Sequence, residues 1–368
     1  MDKKIVYLIL LAASLAIVYF AYLNFLQPLI GSGAVVPRPE EESYEIIAEG
    51  LDIPWEIAFL PNGDILVTER PGTLKRIGEK GKTTRIEGVE HIGEGGLLGM
   101  TLHPNFPENN WIYLYLTTRS DEGLINRVER YSLRENQLSE KKIIIDSIPG
   151  AAYHDGGRIQ FGPDGLLYIT TGDSGSNSLA QDASSLAGKI LRLEDDGGVP
   201  QRNPFDSPVY SYGHRNPQGL AWDENDQLWS TEHGRSGILS GLDELNLIQR
   251  GKNYGWPLIQ GDETQAEMVS PVIHSGSDTT WAPAGAAYKD GSIFFCGLRG
   301  SALYEAEINL QEKKVDSLNI HFKDVFGRLR AAVLGPDGNL YITTSNTDGR
   351  GNPRSGDDKI IRINLDKI

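Results

Sequence analysis

Apolar and polar positions alternate along most of this chain, and one alternating phrase recurs six times. It reads IAFLPNGDIL at 57–66, IQFGPDGLLY at 159–168 and AVLGPDGNLY at 332–341, with looser copies beginning at Met100 (MTLHPNF…WIYLYL), Leu220 (LAWDENDQLW) and Ala286 (AAYKDGSIFF). Each copy is an alternating strand, a turn of Pro, Asp, Asn and Gly, and a second strand rich in aliphatic and aromatic side chains. That is the pattern of a β-hairpin. The copies start 43 to 66 residues apart, close to or above the roughly 40–50 residues of a four-stranded propeller blade. The chain is therefore expected to be all-β, a six-bladed β-propeller of four-stranded antiparallel blades. An open array of sandwich strands would need similar strands but gives no reason for one phrase at near-modular spacing. A blade cannot bury both faces alone, so neighbours must stack around an axis, and the uneven spacing predicts long insertions in the middle blades, where function should sit. The segments at 44–51 (YEIIAEGL) and 357–365 (DDKIIRINL) are expected to pair within one blade and close the ring, because closure removes exposed edges.

Residues 5–23 carry no charge and follow Lys3 and Lys4, which reads as a membrane-spanning helix with its basic end inside. A cleaved signal segment is the competing reading, but the apolar run continues through Ile17, Val18, Phe20 and Leu23, longer than an ordinary signal core. The segment 31–43, containing GSGAVVPRPEEE, reads as a tether and 44–368 as the catalytic propeller, placed outside the cytoplasm. Of the formal charge of −15, the three basic and four acidic residues before position 43 account for one unit. So acidic a domain excludes nucleic acid as a natural partner. The single cysteine, Cys296, excludes an internal disulfide and a Cys-x-x-Cys-His haem site; it lies in an apolar strand, as a buried inert thiol would.

Polar residues that break the strand pattern gather at the blade ends. His154 precedes one strand and Asp173 follows the next, so a hairpin brings them to one rim, where the carboxylate can fix the imidazole tautomer and raise its basicity. Arg215 and Asn216, in YGHRNPQGLAW, sit where the chain enters an innermost strand. Arg328 and Arg330 stand two apart at the start of the sixth repeat, which on a strand puts them on one face. Arginines converging in an acidic domain suit a ligand with carboxylates; the bland alternative pairs each with a neighbouring acid. The inserted loop 231–257 offers EHG, DEL and NYGWP, backbone carbonyls and carboxylates of the kind calcium prefers, without EF-hand spacing or a zinc-type Cys/His cluster.

With HDGGRIQFGPDG, HRNPQGLAW, EHG…DELNLI…GKNYGWP and GRLRAAVLGPDGNLYITTSN in this order, the chain resembles the soluble pyrroloquinoline quinone (PQQ)-dependent aldose sugar dehydrogenases, the soluble glucose dehydrogenase family, from about residue 53 to 365. The resemblance implies oxidation of an aldose at C1, with His154 as the base and Asp173 orienting it. It implies that Arg215, Asn216, Arg328 and Arg330 hold the quinone. Carbonyls of Gly234 and Arg235 would bind a calcium ion, Glu244 and the Tyr254 carbonyl a second, and Trp281 would form an aromatic wall. Three departures stand out: Glu94 replaces a family Gln, Arg299 a family Lys, and Tyr153 the Asp of glucose-specialised members. An external carrier must take the electrons. Two other readings share the fold: a calcium-dependent lactonase, which needs no converging arginines, and a non-catalytic binding propeller, which leaves His154 and Asp173 unused.

Overall fold

The computed structural model describes residues 43–79, 81–237 and 240–368; the expected N-terminal anchor or signal segment and the tether up to residue 42 lie outside them. Among the described residues no helix is long and apolar enough to cross a membrane. The chain enters through β1 (Tyr44–Ala48), whose partner comes last. Blade 1 is β2–β5 (Pro54–Phe59, Ile65–Glu69, Thr73–Ile77, Lys82–Arg85) and blade 2 is β6–β9 (Leu97–Leu102, Trp111–Ser120, Gly123–Arg134, Gln137–Pro149). Blade 3 is β10–β13 (Ile159–Phe161, Leu167–Thr171, Lys189–Leu193, Val209–Tyr212) and blade 4 is β14–β17 (Pro217–Trp222, Leu228–Glu232, Glu244–Ile248, Ile273–His274). Blade 5 is β18–β21 (Pro283–Lys289, Ser292–Gly297, Ala302–Asn309, Lys314–His321). Blade 6 joins β22 (Leu329–Leu334), β23 (Leu340–Thr344) and β24 (Ile360–Ile363) to β1, Tyr44 opposite Ile363 and Ile46 opposite Ile361. The six repeats are the six inner hairpins, and the expected closure of the ring is present.

The insertions are distributed differently from the expectation. Blade 2 is long because its strands are long, 10, 12 and 13 residues in β7, β8 and β9, whereas blades 3 and 4 are long because of loops at 172–188, 194–208, 233–243 and 249–272.

Five of the six inner hairpins slip register at the start of the inner strand, between Pro54/Glu56, Leu97/Met100, Pro217/Gly219, Pro283/Ala286 and Leu329/Ala332. Such a bulge leaves a backbone group without its ladder partner and re-aims the side chain beside it. A hydroxyl on the second strand fills that gap. Thr68 Oγ1 accepts the Glu56 N–H at 3.1 Å and donates to the Leu98 carbonyl of the next blade at 2.6 Å. Thr343 Oγ1 accepts from Ala331 and reaches the Pro54 carbonyl, and Thr231 Oγ1 donates to Ala284 at 2.6 Å. In blade 5 the place is taken by Cys296, fully buried, whose thiol lies 3.0 Å from the Ala331 carbonyl. The lone cysteine thus stands where blades 1, 4 and 6 keep threonine. The inner strands also come close enough to demand glycine: a Cβ on Gly99 would lie 2.1 Å from the Gly157 carbonyl oxygen.

Between the ends of the axis the channel is plugged. Arg158 pairs with Glu56, donates Nε to the Gln218 carbonyl at 2.9 Å and lies 4.2 Å over the Trp55 ring. A cavity of about 530 Å³ lies at one end and one of about 510 Å³, lined by the inner strands, at the other. The inter-blade hydroxyl is testable. Thr231→Val keeps the shape but strands the buried Ala284 carbonyl, and should lower unfolding free energy by about 1–3 kcal/mol; Cys296→Thr should stay within about 1 kcal/mol of wild type. Denaturant melts of both variants check this, and a neutral Thr231→Val would refute the role given to the hydroxyl.

Candidate active site

In every blade the inner strand starts, and the second strand ends, at the same rim. Residues just before β6, β10, β14, β18 and β22 and just after β15, β19 and β23 therefore converge on one cup. Glu94, Tyr153, His154, Arg215, Gly234, Arg235, Arg299 and Arg328 all line it. A small void of about 20 Å³ beneath is lined by Trp55, Asp155, Gln218 and Arg330.

His154 Nδ1 lies 2.7 Å from Asp173 Oδ1, with the ring 12 % exposed and the carboxylate fully buried. Burial opposes ionisation of Asp173, but the imidazole, the Gly175 N–H and the Trp256 Nε1–H at 2.8 Å together hold it below the usual carboxylate range. With Nδ1 so engaged, Nε2 is the nitrogen that can take a proton. The loop behind this pair is built around the buried amine of Lys189, which burial pushes down to about 7. Lys189 Nζ donates to the carbonyls of Leu179, Ala180 and Ala187 at 2.8, 3.1 and 2.5 Å. Gln181, in the same loop, donates to the Trp256 carbonyl at 2.6 Å, so Trp256 reaches Asp173 from a fixed place.

The arginines divide into two kinds. Arg328 meets Asp348 through two bonds at 3.0 and 2.8 Å, which is the bland pairing. Arg215 donates to Ser236 Oγ and the His233 carbonyl, Arg330 to Gln218 Oε1, and neither has a carboxylate partner among the described residues. Burial, then Arg70, pushes Arg330 down to about 9. The expectation that Arg328 and Arg330 share a face fails because the bulge interrupts the alternation: Arg328 lines the cup, Arg330 the void below. Asn216 lies beneath the cup lining, its Oδ1 accepting from Gly156 and Gln218. Buried polar nitrogens remain unmatched around this floor: Asn216 Nδ2, Arg330 Nε, Arg235 Nε and the ring nitrogen His233 Nε2 have no hydrogen-bond partner among the described residues. The cup holds five arginines against the two acids Glu94 and Asp243, a cationic pocket in an acidic domain. A planar ligand with several anionic oxygens fits this donor set.

Gly234 and Arg235 line the cup wall just after β15, Arg235 bridged antiparallel to Gly241; the Arg235 carbonyl accepts the Gly241 N–H at 3.3 Å, and Gly234 N–H donates to Asp243 Oδ1 at 2.9 Å. Glu244 faces Glu232 across β15 and β16, and burial together with that carboxylate pushes it up to about 8. Tyr254 stacks on His214 at 4.8 Å, and His214 binds Glu232. Two buried carboxylates so close keep a proton on one of them near neutral pH, and among the described residues no three His, Cys, Asp or Glu side chains gather as a metal site. Arg299 reaches Ser240 Oγ at 2.7 Å.

Trp281 does not line the cup, as an aromatic wall would: its ring packs against Phe295 and Tyr304, only 7 % exposed, while the N–H groups of Trp281 and Ala282 donate to Asp243 Oδ2. The aromatic at the cup is Tyr153, 48 % exposed and edge-on to His154 at 4.9 Å. Sequence reasoning missed His233, Asp243, Trp256, Asp348 and Arg350. The EHG, DEL and GWP motifs pointed at three of them; nothing local pointed at Asp348 or Arg350.

The glucose/sorbosone dehydrogenase family profile matches residues 51–361. An aldose sugar dehydrogenase of Streptomyces coelicolor, solved with PQQ bound, is 41 % identical and superposes with a TM-score of 0.79 over 87 % of this chain and 97 % of that one. The aldose sugar dehydrogenase YliI of Escherichia coli is 32 % identical over 88 % of this chain and 96 % of its own. Quinoprotein glucose dehydrogenase B of Acinetobacter calcoaceticus is 34 % identical over 64 % and 56 %.

One strained charge at this floor has a pH signature. Asp155 is pushed up from 3.8 to about 6, chiefly by burial, with Oδ2 unpartnered while Oδ1 accepts from Asn126 and Ala151. A raised folded value means stability that is present below about pH 4 and lost as pH rises through about 6. Asp155→Asn should flatten that slope and stabilise the protein at neutral pH. Melting temperatures between pH 4 and 7 test it; parallel wild-type and variant curves would contradict the assignment.

Proposed function

The chain belongs to the glucose/sorbosone dehydrogenase family, and we propose that it oxidises aldose sugars at C1 to the lactone with PQQ as the bound electron acceptor. The observation that carries this reading is an acid-anchored imidazole on the cup together with two buried arginines, Arg215 in the cup and Arg330 in the void beneath it, that have no acid partner among the described residues. A lactonase would have no use for the unmatched guanidinia, and a binding propeller none for the His154–Asp173 pair.

Arg215, Asn216 and Arg330 would hold the quinone's oxygens, with Arg328, Arg299 and Glu94 at its edge. Bound there, PQQ supplies the two-electron, hydride-accepting centre. His154 Nε2 removes the C1 hydroxyl proton, Asp173 stabilises the imidazolium that forms, and Trp256 keeps Asp173 from turning away. Arginines fixed before the reaction stabilise developing negative charge without reorganising. Tyr153 offers its ring to a sugar face, where the family's Asp would accept a hydroxyl, so the chain should favour aldoses recognised by stacking. Calcium would be held by the Gly234 and Arg235 carbonyls, and a second ion by Glu244 and the Tyr254 carbonyl. The apolar stretch 5–23 would keep the enzyme at the outer membrane surface, passing electrons to a separate carrier.

His154→Ala should lower turnover by about two to four orders of magnitude, the usual contribution of a general base, while PQQ still binds in a titration. Near-normal turnover would make His154 structural. Calcium should raise the melting temperature by mass action, and Glu244→Gln should shrink that rise. Equal calcium-induced shifts in both proteins would remove Glu244 from the ligands.

A further inference from the structure

The base sits on a backbone that resists it. His154 adopts φ of 61°, a left-handed conformation that costs a side chain with a Cβ about 1 kcal/mol or more. Something must hold it there. Its N–H donates to Glu94 Oε2 at 3.0 Å, and Glu94 N–H in turn donates to the Ala152 carbonyl at 2.9 Å. The two segments touch so closely that a Cβ on Gly93 would lie 1.9 Å from that carbonyl oxygen. The other oxygen of Glu94, Oε1, meets Arg350 Nη1 at 2.6 Å. Arg350 N–H donates to Asp348 Oδ1 at 2.9 Å, and Asp348 Oδ2 holds Arg328.

A neutral glutamine at 94 could accept the His154 N–H equally well, so the negative charge needs its own account. Left bare, it would oppose an anionic ligand in the cup. Burial works against its ionisation, yet the His154 N–H and Arg350 are among the groups that carry Glu94 down to about 2. It is a carboxylate throughout the working range and does not exchange protons with substrate.

We propose that Glu94 and Arg350 act as one positioning unit for His154: Glu94 clamps the strained backbone of the base, and Arg350 cancels its charge so that the clamp leaves the electrostatics of the cup unchanged. The inference rests on reading His154 as the base. Asp173, Asp155, Tyr153, Arg215 and His233 also face that imidazole or its partner, and they stay constant across the variants below.

Clamp and charge separate experimentally. Glu94→Gln keeps an acceptor for the His154 N–H, whereas Glu94→Ala removes it. Turnover should fall about tenfold or more in Glu94→Ala and much less in Glu94→Gln, with PQQ affinity reduced less than turnover in the alanine variant. For the charge, Glu94→Gln leaves Arg350 unmatched and should move the acidic limb of the kcat/KM profile to lower pH. Arg350→Met leaves Glu94 unmatched and should move it to higher pH and weaken PQQ binding. Each shift should be about half a unit or more, and in the double variant the acidic limb should return close to its wild-type position. The imidazole titration of the cofactor-free protein, followed by NMR, should show the same opposed and cancelling shifts. Shifts of the same sign, or additive ones in the double variant, overturn the pairing; equal turnover in Glu94→Gln and Glu94→Ala overturns the clamp. A wild type that binds no PQQ overturns the functional reading instead, while the titration still decides the pairing.

Discussion

The approach of six inner strands to one axis governs the rest of this structure. Strands packed that closely cannot keep a regular ladder at their crowded ends, and five of the six hairpins slip there. Each slip frees backbone groups inside the protein, where an unmade hydrogen bond costs more than a made one contributes. A hydroxyl answers this because it accepts and donates at once: Thr68 and Thr343 take an N–H from their own blade and offer their hydrogen to the next. The same slip turns Trp55, Gln218 and Arg330 toward the axis. Closing the ring and building the floor of the cup are thus one structural event.

That coupling explains how a cationic cup survives in an acidic domain. Arg158 is neutralised by Glu56 and seals the channel below, so the cup is a dead end with little room for water beneath it. Arg330, one layer above, has no acid, and Arg215 rests 5.3 Å over the Trp256 ring. Rigid strands hold positive charge in place where flexible loops would let it reach solvent. Preorganised charge of this kind is what an electron-accepting ligand requires.

The sequence disclosed whatever rests on local period. Six hairpins, the ring closure and the meeting of His154 with Asp173 follow from alternation and strand ends. It did not disclose what depends on irregularity. Arg328 and Arg330 look like same-face neighbours, but a bulge separates their levels. Trp281 stands beside cup residues in the chain, yet its N–H donates to Asp243 and its ring packs against Phe295 and Tyr304. Arg350 sits in a loop without periodic signal and, 256 positions away in sequence, meets Glu94 where the last blade closes against the first; no motif within either segment could reveal the other. Blade 2 owes its length to long strands, which spacing alone cannot distinguish from a loop insertion.

Unmatched burial also sets a direction for stability. A guanidinium without an acid, a His233 driven down to about 4 chiefly by burial, and an Asn216 amide without an acceptor all raise the free energy of the empty cup. A polyanion that satisfies them relieves costs the fold otherwise bears, so ligand affinity and fold stability draw on the same groups. Replacing these residues by apolar ones would stabilise the empty propeller and disable the cup together. Their persistence in a closed, otherwise well-packed ring is therefore best explained by a ligand.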